Sequence, residues 1–174
     1  MNYFNILKKK IESKKAIISI IGLGYVGEVL IKKFYKEGFS TIGIDNDKNK
    51  LNKFPKKKRM VLTNNYKLIS MADVIIIAVP TPLTKKLTPD LSFVKSAIKK
   101  SNHFLKKGQL ISLESTTYPG TTEELFKNFL IKKKFNLSKD FFLVYSPERI
   151  SPELKIKDRT LKYNLSNTPK IYSG

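Results

Sequence analysis

Cysteine and tryptophan are absent from the 174 residues, histidine occurs once, and arginine only at positions 59, 149 and 159. Without cysteine there is no disulfide scaffold, no thiolate zinc site and no thiol nucleophile in the chain. The lone His103 makes neither a catalytic triad nor a metal site, so no metal is expected, and its place between lysine pairs puts it on the surface. Acidic residues are scarce as well: 14 Asp and Glu face 34 Lys and Arg, for a net charge of +20. Long hydrophobic runs are also missing. The stretches richest in apolar residues, Ala16–Ile21 and Val74–Val79, fall far short of the roughly 20 residues that cross a bilayer. Residues Met1–Lys15 alternate apolar and lysine positions without the apolar core of a secretory signal. The expectations are a cytoplasmic protein and no membrane partner.

What is present is lysine, spread along the chain in Lys8–Lys10, Lys56–Lys58, Lys99-Lys100, Lys106-Lys107 and Lys132–Lys134. A basic surface binds phosphate backbones by releasing counterions. Such surfaces favour arginine, however, and lysine this evenly spread reads as solvated exterior. A nucleic-acid partner is therefore not the first reading.

The chain length suits one domain with its own core. An amphipathic helix is expected over Asn2–Lys14, outside the main sheet. Strands are expected at Ala16–Ile21, Ser40–Asp45, Met60–Thr63, Ala72–Val79, Gln109–Leu113, Phe141–Tyr145 and Pro169–Tyr172. Helices are expected at Gly24–Lys36, Asn46–Phe54, from Pro89 to Lys107-Gly108, and at Thr121–Lys134, with a helical turn at Tyr66–Met71. Strands alternating with helices of this length predict an α/β fold: a doubly wound, Rossmann-type parallel sheet covered on both faces. Residues 1–15 would be a helical extension and residues 16–174 the domain itself.

Gly22-Leu23-Gly24-Tyr25-Val26-Gly27 follows an expected buried strand, opens an expected helix, and precedes Asp45 by 18 residues from its last glycine. That is the context in which G-x-G-x-x-G binds a dinucleotide. Gly22 permits the tight turn, Gly24 lets the backbone approach a pyrophosphate, and Gly27 allows the helix to pack closely on the strand. The helix start offers unpaired N–H groups to anionic oxygens. Asp45 would accept from an adenosine ribose and repel a 2′-phosphate, which favours NAD over NADP. Glu28, beside the phosphate position, is a local misfit if it points inward.

Further on, Ala72–Lys85 contains Pro80-Thr81-Pro82, and Pro89–Ser92, Glu114–Glu124 and Ser146-Pro147-Glu148-Arg149 follow in order. With the glycine motif and Asp45, these segments resemble the N-terminal domain of the nucleotide-sugar 6-dehydrogenases, a family that includes the UDP-glucose and GDP-mannose dehydrogenases. Their wording is most similar to the UDP-N-acetylglucosamine 6-dehydrogenase branch. The resemblance implies two successive NAD-dependent oxidations of a sugar C6 alcohol to a carboxylate through a thioester, in surface polysaccharide biosynthesis. It implies Tyr25 and Val26 against the pyrophosphate, Asp45 and Lys50 near the adenosine ribose, and Thr81 and Thr116 beside the cofactor and catalytic water. Glu148 matches the family glutamate that assists water attack, and Arg149 a substrate-side cation. The implied partners are a UDP-sugar, a companion C-terminal domain and a second copy in a homodimer. Three of the loops named lie just past expected strand ends, where open α/β sheets place their ligands.

The sequence departs from the family at three points. The family's nucleophilic cysteine belongs to a second domain that these residues do not contain, Glu153 stands where the family usually has glycine, and the loop up to Pro169 is several residues longer than the family's. Three readings stay open on the residues: the cofactor half of a nucleotide-sugar dehydrogenase, a stand-alone NAD-binding module without turnover, and a basic nucleic-acid-binding domain.

Overall fold

The computed structural model describes residues 1–147 together with Tyr172 and Ser173. Helix α1, Tyr3–Glu12, starts at Asn2, whose side chain accepts the Asn5 N–H at 3.1 Å, the role that favours asparagine at a helix start. Strand β1, Ile17–Ile21, leads through the glycine motif into α2, Tyr25–Lys36, and then to β2, Ser40–Ile44. A short α3, Lys48–Asn52, precedes β3, Met60–Thr63, and a 3-10 turn, Tyr66–Met71, delivers the chain to β4, Val74–Ile77. Helix α4, Ser92–Ser101, β5, Leu110–Leu113, α5, Thr121–Lys133, and β6, Phe142–Tyr145, complete the order.

The six strands form one sheet in the order β3-β2-β1-β4-β5-β6, and every neighbouring pair is parallel. Successive strands step outward from β1 on one side and from β4 on the other, so the strand order reverses between them. Alternate side chains divide the core into two layers. Ile21, Ile44, Ile75, Ile77, Ile111 and Leu113 face α4 and α5. Ile18, Ile20, Val74 and Ile76 face α1 and α2, meeting Leu7, Leu30 and Ile31. On the first face Phe129 lies 6.5, 5.8 and 5.7 Å, centroid to centroid, from Phe126, Phe135 and Phe141. Each such aromatic pair adds about 0.5–1.5 kcal/mol beyond its buried area.

Most expected elements occur within a few residues of their expected ends. The helix expected from Pro89 to Lys107 is the clearest correction, since α4 spans only Ser92–Ser101. Pro89 is bridged to Leu83 in a small hairpin, in which the Asp90 N–H donates to the Pro82 carbonyl at 2.7 Å. The Asp90 carboxylate then accepts the Ser92 N–H at 2.8 Å. This aspartate turn outweighs the general preference for proline in a helix's first turn. The strand expected at Pro169–Tyr172 lies outside the described residues except for Tyr172, and Ser173 bridges Tyr145 antiparallel.

Helix α1 does sit outside the sheet, running across the edge where the strands begin. Tyr3 packs against Gly108 just before β5, and Phe4 meets Phe142 at 6.1 Å between ring centroids. Lys10 donates to the Asp73 carboxylate at 2.6 Å, and the other Asp73 oxygen accepts the Ile17 N–H at 2.9 Å. Asp73 thereby ties α1 to the starts of β1 and β4. No helix among the described residues is long and apolar enough to cross a membrane.

Candidate functional site

The opposite edge, where the strands end, carries the glycine motif. Gly22 has φ +93°, and a Cβ there would come within 2.7 Å of the Ala78 carbonyl oxygen. The turn that carries β1 into α2 therefore requires glycine on both conformational and steric grounds. At Gly27 a Cβ would stand 1.8 Å from the Gly22 oxygen, so helix and turn pack backbone to backbone. Above Gly24 a Cβ would meet nothing within 4 Å, and Gly24 starts α2 without any side-chain cap. Open space over an uncapped helix start is what an anionic pyrophosphate needs. A dinucleotide fits these residues.

Asp45 follows β2 and is held from three sides. One carboxylate oxygen accepts the Leu23 N–H at 2.7 Å and lies 3.4 Å from Lys50 Nζ; the other accepts the Asp47 N–H at 2.9 Å. The carboxylate is thus aimed before any ligand arrives, and it braces the glycine turn through Leu23. Beside it lies a cleft of about 240 Å³ lined by Gly22, Gly24, Asp45, Lys50, Tyr66 and Phe93, among others. That is below the roughly 300–1,000 Å³ of pockets that enclose a whole drug-sized ligand, so the cleft suits one end of a dinucleotide. Glu28 is not part of its wall: its two oxygens bind Lys32 at 2.6 Å and Lys53 at 2.7 Å. Those two bonds hold the Glu28 carboxyl below its ordinary pKa, Lys32 first. The charge that made Glu28 a misfit is tied down by lysines.

Tyr66, Phe93, Asn46 and Lys100 were not singled out from the sequence, and each belongs to this corner. Burial, and then the charge of Asp45, push the Tyr66 hydroxyl above its ordinary pKa, which keeps it a proton donor. Lys100 Nζ reaches Asn46 at 3.3 Å and lies 5.5 Å from the centre of the Tyr66 ring. Phe93, half exposed on the first turn of α4, walls the other side. Nothing local marks these four, because they come from three separate segments, the loop after β2, the 3-10 turn and α4.

The loops past β4, β5 and β6 are sewn together on the same edge. The Ser115 hydroxyl donates to the Val79 carbonyl at 2.7 Å, and the Thr117 N–H donates to the Tyr145 hydroxyl at 3.4 Å. These bonds join the segment holding Thr81, which is half-buried, to the one holding Thr116, which is exposed. Glu114, buried at the end of β5, accepts from the Ser112 hydroxyl at 2.8 Å. A second cavity, of about 540 Å³, is lined by Thr117, Tyr118, Gly120 and Tyr145 among others. Tyr25 and Val26 occupy the first turn of α2. Glu148, Arg149 and Glu153 lie outside the described residues. His103 is exposed, as expected.

A parallel sheet with a glycine turn, an uncapped helix start and a fixed carboxylate after the second strand defines a dinucleotide-binding domain of the dehydrogenase kind. Residues 16–164 match the NAD binding domain of the UDP-glucose/GDP-mannose dehydrogenase family. The chain belongs to that family, and NAD is the cofactor of this domain. It is 31% identical to a UDP-N-acetyl-D-glucosamine 6-dehydrogenase of Pseudomonas aeruginosa, over 90% of this chain and 39% of that protein. It is also 31% identical to a UDP-N-acetyl-D-mannosamine dehydrogenase of Methanocaldococcus jannaschii, over 81% of this chain and 36% of that one. Among solved structures, the UDP-N-acetyl-mannosamine dehydrogenase Cap5O of Staphylococcus aureus superimposes with a TM-score of 0.70 at 28% identity, covering 79% of this chain and 38% of that chain. The chain thus spans about two fifths of the length of these relatives.

Proposed function

We propose that the chain is the cofactor-binding portion of a nucleotide-sugar 6-dehydrogenase that oxidises the C6 alcohol of a UDP-N-acetylhexosamine to a carboxylate, for surface polysaccharide synthesis. The observation that carries this reading is the cleft in which the open space above Gly24, the α2 start and the Asp45 carboxylate meet. The sugar class follows from the names of relatives, which are UDP-N-acetylglucosamine and UDP-N-acetylmannosamine enzymes, and UDP-N-acetylglucosamine is the favoured substrate. Residues 16–174 form the NAD-binding domain on this reading, and residues 1–15 extend it.

When bound, NAD supplies the hydride acceptor. The chain's own residues bind, orient and move protons around it. Gly22, Gly24 and Gly27 shape the turn, and the backbone at Tyr25 and Val26 holds the pyrophosphate. Asp45 accepts from the ribose hydroxyls while Lys50 steadies its charge. Thr81 and Thr116, on loops joined by Ser115 and Val79, orient the reactive end and a water. Glu148 removes a proton from that water, and Arg149 offers its cation to the sugar nucleotide. These residues include no thiol, and no hydroxyl or amine replaces a thiolate without its own activating base. Turnover therefore requires a companion domain that carries one.

Calorimetric titration with NAD and with NADP at moderate salt tests the cofactor site. The expected result is NAD binding with NADP at least about tenfold weaker, a gap of roughly 1.4 kcal/mol. Binding of neither would remove the reading, and equal binding of both would remove the role of Asp45.

A further inference from the structure

Part of the surplus charge gathers at one edge of the folded chain. Parallel strands put every strand start on one edge, and lysine clusters occupy the connections that lead into it: Lys14-Lys15 before β1, Lys56–Lys58 before β3, and Lys132–Lys134 with Lys139 before β6. All of these side chains are exposed. The acids at this edge are few. Asp73 and Asp140 are bound to Lys10 and Lys107, at 2.6 and 2.8 Å, and Glu12 stands 3.9 Å from Lys8. Lys139 also acts on the Asp140 charge, and Glu37 is exposed after α2; the other lysines of these clusters form no ion pair among the described residues. Cation–π contacts hold two of the lysines at the surface, Lys14 at 4.6 Å from the Phe39 ring centre and Lys57 at 4.5 Å from that of Tyr35.

Helix α1 lies across this edge and adds an apolar element. Ile6 is 43% exposed and Phe4 57% exposed. Beside the helix an apolar groove of about 520 Å³ runs along β6, lined by Phe4, Ile11, Phe142 and Val144 among others. A helix with lysines on one flank and exposed Ile and Phe on another is built to lie in a lipid interface. Clustered lysines are attracted to anionic headgroups.

We infer that the edge where the strands begin, with α1, is a docking surface for an anionic lipid bilayer. The exposed apolar side chains choose this partner over nucleic acid, because a phosphate backbone offers them nothing to bury against, and among the described residues Arg59 is the only arginine there. The NAD cleft is on the opposite edge, so docking leaves it open to water. The expectation of no membrane partner rested on the lack of a spanning segment, which surface docking does not need.

Sedimentation of the purified chain with vesicles tests this. Vesicles of equal parts phosphatidylglycerol and phosphatidylcholine should capture it at least about tenfold more strongly than phosphatidylcholine alone, and added salt should release it. The triple variant Lys56→Glu, Lys57→Glu, Lys58→Glu should lose the preference. A second triple variant, Lys132→Glu, Lys133→Glu, Lys134→Glu, should weaken it in the same direction, each judged folded by circular dichroism. Ile6→Ser should weaken vesicle capture and leave binding to a DNA duplex unchanged. Capture that does not distinguish the two vesicle types overturns the inference. So does an Ile6→Ser variant equal to the parent on vesicles when the parent also binds DNA, since the edge would then be a general polyanion surface.

Discussion

The two edges of one sheet make the most instructive contrast in this protein. Where the strands end, the chain places glycines, hydroxyls and acids: Gly22, Gly24, Asp45, Asp47, Glu114, Ser115 and Thr116. Where they begin, it places the lysine clusters Lys14-Lys15, Lys56–Lys58 and Lys132–Lys134, beside Asp73 and Asp140. Both edges are built from the same alternation of strand and helix, and parallel topology sorts them. Helix starts, which favour anions, collect on one edge; helix ends, which favour cations, collect on the other. The last turns of α1, α2 and α5 carry lysine, while Glu28, Glu123 and Glu124 lie in first turns; α4 departs from the pattern, since Lys100 in its last turn reaches Asn46 at the cleft corner. A doubly wound sheet therefore separates a ligand edge from a basic edge without any residue specifying the separation by itself.

The contrast breaks most sharply at Gly27. Gly27→Val would drive a side chain into the Gly22 carbonyl, and the expected outcome is loss of detectable NAD binding with about 3 kcal/mol or more of stability lost. Calorimetry and urea denaturation measure the two together; an intact cofactor site in this variant would refute the backbone-to-backbone packing of turn and helix.

On the other edge, Asp73→Ala removes the acceptor of the Ile17 N–H and the partner of Lys10. We expect a loss of about 1–3 kcal/mol in the same denaturation experiment, with NAD affinity within about twofold of the parent, a difference near 0.4 kcal/mol. A large loss of affinity would show that the two edges are not energetically separable.

The smallest effect sharpens the comparison at the cleft. Asp45→Asn keeps the shape and removes the charge that the proposed function assigns to the ribose. NAD should bind about five- to tenfold more weakly, roughly 1–1.4 kcal/mol, and the preference over NADP should shrink. Unchanged affinity for both would mean that the Asp45 carboxylate serves only to brace Leu23 and Asp47.

Much of the fold could be read in the residues because strand and helix signals here are local. Met60–Thr63 and Tyr66–Met71 coincide with their expected bounds, and the glycine motif with Asp45 located the cleft. The start of α4 could not be read in this way. Pro89 is a good first-turn residue in isolation, and only the pairing of Leu83 with Pro89 and the Asp90 turn moved the helix to Ser92. Tyr66, Phe93, Asn46 and Lys100 were invisible for a different reason: each is unremarkable in its own segment, and their common corner exists only once α4 has packed near the end of β2. Glu28 likewise looked out of place beside a phosphate site until Lys32 and Lys53 were brought to it.

By itself the sequence determined the α/β alternation, the glycine turn, the carboxylate that follows the second strand, and the absence of a thiol. These depend on side-chain type and spacing along the chain, which folding does not alter. The tertiary structure alone decided which side chains share the corner beside Asp45, how Asp45 is aimed by three donors, and that lysines far apart in sequence gather on one edge. Those outcomes depend on the parallel order of the strands, which brings distant segments together and which no single segment encodes.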